Sequence, residues 1–321
     1  MRTSLIALLS LYSLQITFGQ EPPVYAIVIH GGAGNISPAF ITPTTDATLS
    51  AKLSEVLEEG ISILDSGGTS LDAVEAVIRI MEDSPLFNAG KGAVFTHEGK
   101  NELDASIMDG KTMKAGAVAG IGDIKNPISA ARIVMEKSPH VLLSGAGASR
   151  FVSGHGAEVV DSNYFYTERR WEQLQRQLKK AGVEKYGTVG CVALDRYGNL
   201  AAGTSTGGMT NKRFGRIGDS PIIGAGNYAN NNSCAVSATG HGEFFIRYTV
   251  AHDISALMQY RDLSIQEAAR TVIHEKLGDA GGTGGVICVD KHGNIAMEFN
   301  TSGMLRAYAT ARGEKGVRMF E

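Results

Sequence analysis

Cysteine is scarce. The 321-residue chain has three, Cys191, Cys234 and Cys288. An odd number, each in an apolar, strand-like setting, argues against a disulfide scaffold. They read as small buried hydrophobes, and their spacing offers no zinc site. No apolar run approaches the ~20 residues of a membrane-spanning helix. There is no basic block, and the formal net charge is −3. Nucleic acid and membrane are therefore poor partner classes. The loop "GTSTGGMTNK" lacks the P-loop lysine spacing. "HGGAG" resembles an esterase oxyanion loop, but no strand-to-helix G-x-S-x-G elbow accompanies it.

What is present is a globular composition, 43% hydrophobic and 20% charged, with 40 glycines. Tight turns and close backbone approaches are therefore expected. The start, "MRTSLIALLSLYSLQITFGQEPP", carries Arg2, a short apolar run over Leu5–Phe18, and small residues Thr17 and Gly19 before Gln20. This predicts a secretory signal peptide over 1–19 and an exported protein, periplasmic or extracellular. The remainder, 20–321, reads as one domain.

"VYAIVIHGGAG" (Val24–Gly34) predicts a buried strand entering a tight turn. Helical spacing runs over Thr48–Asp65 and Ser70–Glu82, with Thr45/Asp46 and Ser70 as N-caps. Further helices are expected over Pro127–Lys137, Val141–Ser153, Glu243–Gln259 and Ser264–Leu277. Gly154–Tyr186 is polar and weakly periodic, with the composition of a linker or a loosely held helix. Strands and helices in alternating groups argue for α+β with largely antiparallel sheets.

One segment echoes another. Gly187–Met209, "GTVGCVALDRYGNLAAGTSTGGM", and Gly282–Met304, "GTGGVICVDKHGNIAMEFNTSGM", agree at 10 of 23 positions. Each reads as a hairpin around Asp-x-x-Gly-Asn, with the Gly and then the Asn at positive φ. The two hairpins are expected in facing or adjacent sheets. The echo gives Thr283 the same hairpin setting as Thr188, so that setting does not distinguish Thr188. A cut at Gly187–Thr188 does, since it would make Thr188 an N-terminus. Its hydroxyl would be the nucleophile and its own α-amine, titrating near ~7.7–8.0, the base. Cutting before Thr283 would release only one hairpin and a tail.

The long block from "GTVGCVALD" through "TSTGG", "GRIGDSP" and "SATGHGEFFIR" resembles the plant-type L-asparaginase/isoaspartyl peptidase family of N-terminal-nucleophile hydrolases. "HGGAG", "PLFNAGKGAVFT", "ELDASIMDG" and "KAGAVAG" match in the same order, so the resemblance spans nearly the whole chain. It implies a four-layer αββα sandwich, autoproteolysis into an α chain (20–187) and a β chain (188–321), and an (αβ)2 homodimer. It implies that Thr188 is the nucleophile, that Thr206 supports it, and that Thr239 and Gly240 form the oxyanion hole. Arg216 and Asp219 would clamp the substrate's α-carboxylate and α-amine, with Gly242 helping hold the amine and Asn88 near the nucleophile. His30, Gly31 and Gly32 would form a turn beside the scissile bond, and His241 would be a turn residue. No cofactor is implied for catalysis. A structural sodium ion is implied, held by the main-chain carbonyls of Met81, Glu82, Ser84, Phe87, Ala89 and Lys91. The activity implied is hydrolysis of β-aspartyl dipeptides and L-asparagine through an acyl-enzyme. The alternatives are a glycosylasparaginase-like amidohydrolase, which normally has Asp where Gly187 stands, and an exported non-catalytic binding protein. Phe214 stands where the family usually has proline.

Overall fold

A computed structural model describes residues 24–37, 41–179 and 187–320. The predicted signal peptide over 1–19 lies outside the described residues. Two sheets organise the chain. The larger has eight strands in the order β12-β11-β1-β5-β6-β2-β3-β4. These are β1 (Ala26–Gly34), β2 (Leu103–Asp109), β3 (Ala115–Ile121), β4 (Leu142–Ser144), β5 (Val189–Leu194), β6 (Leu200–Thr206), β11 (Gly303–Thr310) and β12 (Lys315–Arg318). All pairs are antiparallel except β3 with β4. The smaller sheet has the order β10-β9-β8-β7, built from β7 (Asn227–Ala229), β8 (Cys234–Gly240), β9 (Gly284–Asp290) and β10 (Ile295–Phe299).

Side-chain alternation explains why the central strands read as continuous apolar runs. Ile27 and Ile29 join a core made with helices α1 (Pro43–Asp65), α2 (Ser70–Glu82) and α3 (Pro127–Lys137). Ala26 and Val28, pointing the other way, pack with Val192, Leu194, Ile287 and Val289 in a second core shared by the two sheets. On the far side of the small sheet, Cys234, Val236 and Ala238 meet α7 (Val250–Arg261) and α8 (Ile265–Arg270). A strand buried on both faces has no polar side to show. The three cysteines are free and buried.

The echoed hairpins are β5–β6 in the large sheet and β9–β10 in the small one, and they share the inter-sheet core. Asp195 Oδ1 accepts from the amides of Tyr197 and Asn199, and Asp290 Oδ1 from those of His292 and Asn294. Gly198 and Gly293 both take φ 77°, whereas Asn199 and Asn294 do not adopt positive φ. One left-handed residue suffices for each turn.

Several element boundaries differ from expectation. α1 begins at Pro43 with Thr42 as its cap, and α2 is capped by Thr69. Val141–Ser153 divides into β4 and helix α4 (Gly145–Ser153). Thr249, in the left-handed conformation at φ 47°, separates helix α6 (Gly242–Tyr248) from α7. Ser264 caps α8 in a capping box, and the chain continues as a wider π-helix over Thr271–Leu277. Gly154–Tyr186 is not loose where described. It contains helix α5 (Glu168–Lys179), with Arg170, Gln173, Leu174 and Gln177 buried.

Candidate active site

Thr188 is the residue immediately before β5, so its position follows from the sheet. Its neighbours Val189 and Gly190 pair with Ser205 and Thr204 of β6, and Gly190 also pairs with His30 of β1. Gly187 lies against the β1 turn. A Cβ on Gly32 would come within 2.3 Å of Gly187 Cα, and Gly32 has φ 112°. Two glycines thus let the junction backbone touch β1 directly.

Three strand-borne groups hold Thr188. Its hydroxyl donates to Thr206 Oγ1 at 3.1 Å, its amide to Thr239 Oγ1 at 3.4 Å, and its carbonyl accepts from His30 Nδ1 at 3.0 Å. Thr206 Oγ1 also accepts from the Gly208 amide at 3.0 Å. Thr239 Oγ1 also accepts from the Ala33 amide at 3.3 Å. A hydroxyl oxygen with two incoming donors keeps its own hydrogen to give elsewhere. Thr239 is therefore chemically equipped to donate to a developing oxyanion, and Gly240 follows it at the pocket wall.

The pocket is lined by Thr188, Thr206, Gly208, Met209, Arg216, Gly218, Asp219, Ser220, Gly240 and His241. The predicted pair Arg216 and Asp219 thus faces the predicted nucleophile. Gly242 sits beneath both: a Cβ there would lie 2.8 Å from Arg216 Nη2 and 2.8 Å from Asp219 Oδ1. Asp219 is buried, and its Oδ2 has no partner. Burial pushes its pKa up to about 7, against the lowering effects of its own backbone amide and the Arg216 charge. A buried, under-partnered carboxylate opposite a fixed guanidinium suits a zwitterionic ligand. Asn88 does not line this pocket. It braces the segment after Thr206, donating to Gly208 O at 2.8 Å and accepting from the Val94 amide at 3.0 Å.

Sequence reasoning passed over four contributors. Glu243 grips Arg216 through two bonds, at 2.9 and 3.0 Å, fixing the guanidinium. Its place beside Gly242 was the available signal. Asp104 pairs with Thr206 across β2 and β6 and is fully buried, with its carboxyl pKa raised by burial. Thr204 and Ser237 stack behind His30. The letters G-x-S-x-G do occur, at Gly203–Gly207. Ser205 is mid-strand, however, and donates to the buried Glu82 at 2.6 Å. It forms no elbow.

The proposed cation loop follows α2. Glu82 turns its side chain to Ser205 and the Ile128 amide, and Lys91 Nζ lies over the Tyr164 ring. The main chain curls tightly: Cβ atoms on Gly90 and Gly92 would meet Glu82 O at 2.3 Å and Phe87 O at 2.0 Å. Main-chain oxygens are the ligands that hard cations take, and two of those on this loop, Met81 O and Ala89 O, also accept from the Ser84 and Gly92 amides. Among the described residues no cluster of three His, Cys, Asp or Glu side chains could hold a metal.

The family model described as Asparaginase matches residues 23–319. The chain belongs to this family. Among its relatives is the isoaspartyl peptidase of Escherichia coli strain K12, 51% identical, with the match covering 89% of this chain and 92% of that protein. An isoaspartyl peptidase/L-asparaginase of Rattus norvegicus is 41% identical over 87% of this chain and 84% of its own length. One of Xenopus laevis is 42% identical over 87% and 90%. No described helix of this family member is long and apolar enough to cross a membrane.

Proposed function

We propose that the protein is an autoproteolytically activated isoaspartyl peptidase and L-asparaginase, cleaved between Gly187 and Thr188. The observation that carries this is the convergence of Thr206 and Thr239 on Thr188, at a pocket that Thr188 and Thr206 line together with Arg216 and Asp219. The relatives named isoaspartyl peptidase support the same reading. Before cleavage the Thr188 hydroxyl would attack the Gly187 carbonyl, the C–N bond would break to leave an ester and the free α-amine, and water would then split the ester into two chains. Afterwards the freed α-amine takes the hydroxyl proton as Oγ1 attacks the substrate's side-chain carbonyl. Thr239 and the Gly240 amide receive the oxyanion. The protonated amine then donates to the leaving amine or ammonia. Water then attacks the ester, giving its proton to the α-amine; the acyl–Oγ1 bond breaks, the α-amine returns that proton to Oγ1, and aspartate leaves.

The two sheets with helices outside each support the four-layer αββα arrangement of N-terminal-nucleophile hydrolases. In this reading the domain spans 20–321, divides into chains 20–187 and 188–321, and assembles as an (αβ)2 homodimer after export. In the same reading a structural sodium ion would sit on the carbonyls of Met81, Glu82, Ser84, Phe87, Ala89 and Lys91. It would stiffen the loop and supply no catalytic step. Turnover of β-aspartyl dipeptides and asparagine, with none of a glycosylated asparagine, is the expected result. Preference for the glycosylated substrate would move the assignment to glycosylasparaginase. Absence of turnover on all three would leave the binding-protein reading.

A further inference from the structure

Behind the threonines lies a polar row that the reaction described above does not use. His30, Gly190 and Thr204 occupy one register row across β1, β5 and β6. The row faces β8 of the other sheet, whose Ser237 fills the space over Gly190. A Cβ on Gly190 would stand 2.0 Å from Ser237 Oγ and 2.3 Å from His30 Nε2. His30 Nε2 lies 3.0 Å from Ser237 Oγ, Ser237 Oγ 2.7 Å from Thr204 Oγ1, and Thr204 Oγ1 3.0 Å from the Gly226 carbonyl. All three side chains are fully buried.

The hydrogens at His30 can be assigned. The Thr188 carbonyl can only accept, so Nδ1 of His30 carries the hydrogen. Burial drops the imidazole pKa to about 3, keeping the ring neutral, so Nε2 is an acceptor. Ser237 therefore donates to Nε2, and the single hydrogen of Thr204 is divided between Ser237 Oγ and the Gly226 carbonyl. The imidazole is locked in one tautomer with its single N–H aimed at Thr188.

We propose that His30 is a positioning residue for the nucleophile, holding the Thr188 carbonyl while Ser237 and Thr204 hold its imidazole. This rests on Thr188 being the nucleophile. A residue newly made N-terminal keeps only one peptide link to the sheet, and rotation about its Cα–C bond swings both the amine and Oγ1. Its carbonyl lies outside the β1–β5 ladder, which begins at the His30–Gly190 pair. The His30 side chain extends that ladder past Gly190 by two residues, to the place where the attacking group is mounted. A misplacement of ~1 Å at such a group lowers turnover about a hundredfold.

The test compares His30→Ala with His30→Asn, whose side-chain amide can place a donor near Nδ1. Processing is measured by intact mass, and kcat and KM are referred to the concentration of free N-terminal threonine. His30→Ala is expected to lose at least ~tenfold in kcat with KM within ~twofold, since Arg216 and Asp219 are untouched. His30→Asn is expected to recover most of the loss. If His30→Ala does not process at all, processing restored in His30→Asn supports the proposal, and failure of both overturns it. It is also overturned by wild-type kcat in His30→Ala, by a change confined to KM, or by His30→Asn performing no better than His30→Ala. Activity retained in Thr188→Ala would instead overturn the nucleophile assignment itself.

Discussion

Replacing Asp219 with Asn should weaken substrate binding and stabilise the ligand-free protein. Asp219 is buried, its Oδ2 unpartnered, and its pKa is raised from 3.8 to about 7. Burial is the main cause. Glu243 and Asp104 push in the same direction, while its own backbone amide and Arg216 oppose them. The folded state therefore binds this proton more tightly than the unfolded chain. Stability from this group is full below about pH 4 and is lost as pH rises through about 7. The shift corresponds to about 4 kcal/mol, forfeited by wild type above pH 7 and largely spared in Asp219→Asn. The substrate ammonium needs the carboxylate, so KM has the opposite pH trend. At pH 6 about one-tenth of the free enzyme carries the charge, and KM should rise about tenfold over its value at pH 8. Asp219→Asn removes the partner of a desolvated ammonium, worth ~2–5 kcal/mol, and should raise KM at least ~thirtyfold. Urea unfolding at pH 5 and pH 8, with steady-state kinetics on a β-aspartyl dipeptide from pH 6 to 8.5, measures both. A wild-type KM flat across that range would refute the reasoning, as would an Asp219→Asn protein no more stable than wild type at pH 8.

Three other substitutions test neighbouring parts of the account. Thr206→Val removes the acceptor of the Thr188 hydroxyl, so kcat should fall by ~10²-fold with KM little changed in steady-state assays. Glu82, with a pKa pushed up to about 8 by burial, is mostly protonated at pH 7. Glu82→Gln should cost under ~1 kcal/mol there by urea unfolding. It should also abolish the loss of stability that wild type suffers as pH rises from 4.5 through about 8. Gly32→Ala would place a methyl 2.3 Å from Gly187 Cα, so it should leave the precursor uncleaved on a denaturing gel while the sheet still forms.

The parts of this molecule legible in its sequence are those written in backbone chemistry. The Asp-x-x-Gly-Asn turns gave both hairpins, because Asp195 and Asp290 bond to the same offset amides. The doubly buried strands showed as unbroken apolar runs. "RRWEQLQRQLKKAG" is charged and helical in pattern, but the firm packing of α5 was not legible, because it buries polar side chains as well as Leu174. Arg170 donates to Gly92 O at 2.7 Å and Gln173 to Thr210 at 2.8 Å, so no apolar stripe marks the helix. The left-handed break at Thr249 gave no warning either, since neither Gly nor Pro stands there. Thr188 stood out through the junction at Gly187, Thr206 and Thr239 through resemblance, and their meeting is a fact of three-dimensional register. Ser237 and Thr204 were invisible as a pair, because they belong to different sheets and meet only across the inter-sheet layer.

The central claim is that the bond before Thr188 is broken to make the catalyst. Intact mass of the active protein under denaturing conditions tests it most directly. Two chains are expected, one of them beginning at Thr188, and a single uncut chain without activity in Thr188→Ala. Full activity in an uncut chain, or cleavage persisting in Thr188→Ala, would contradict it.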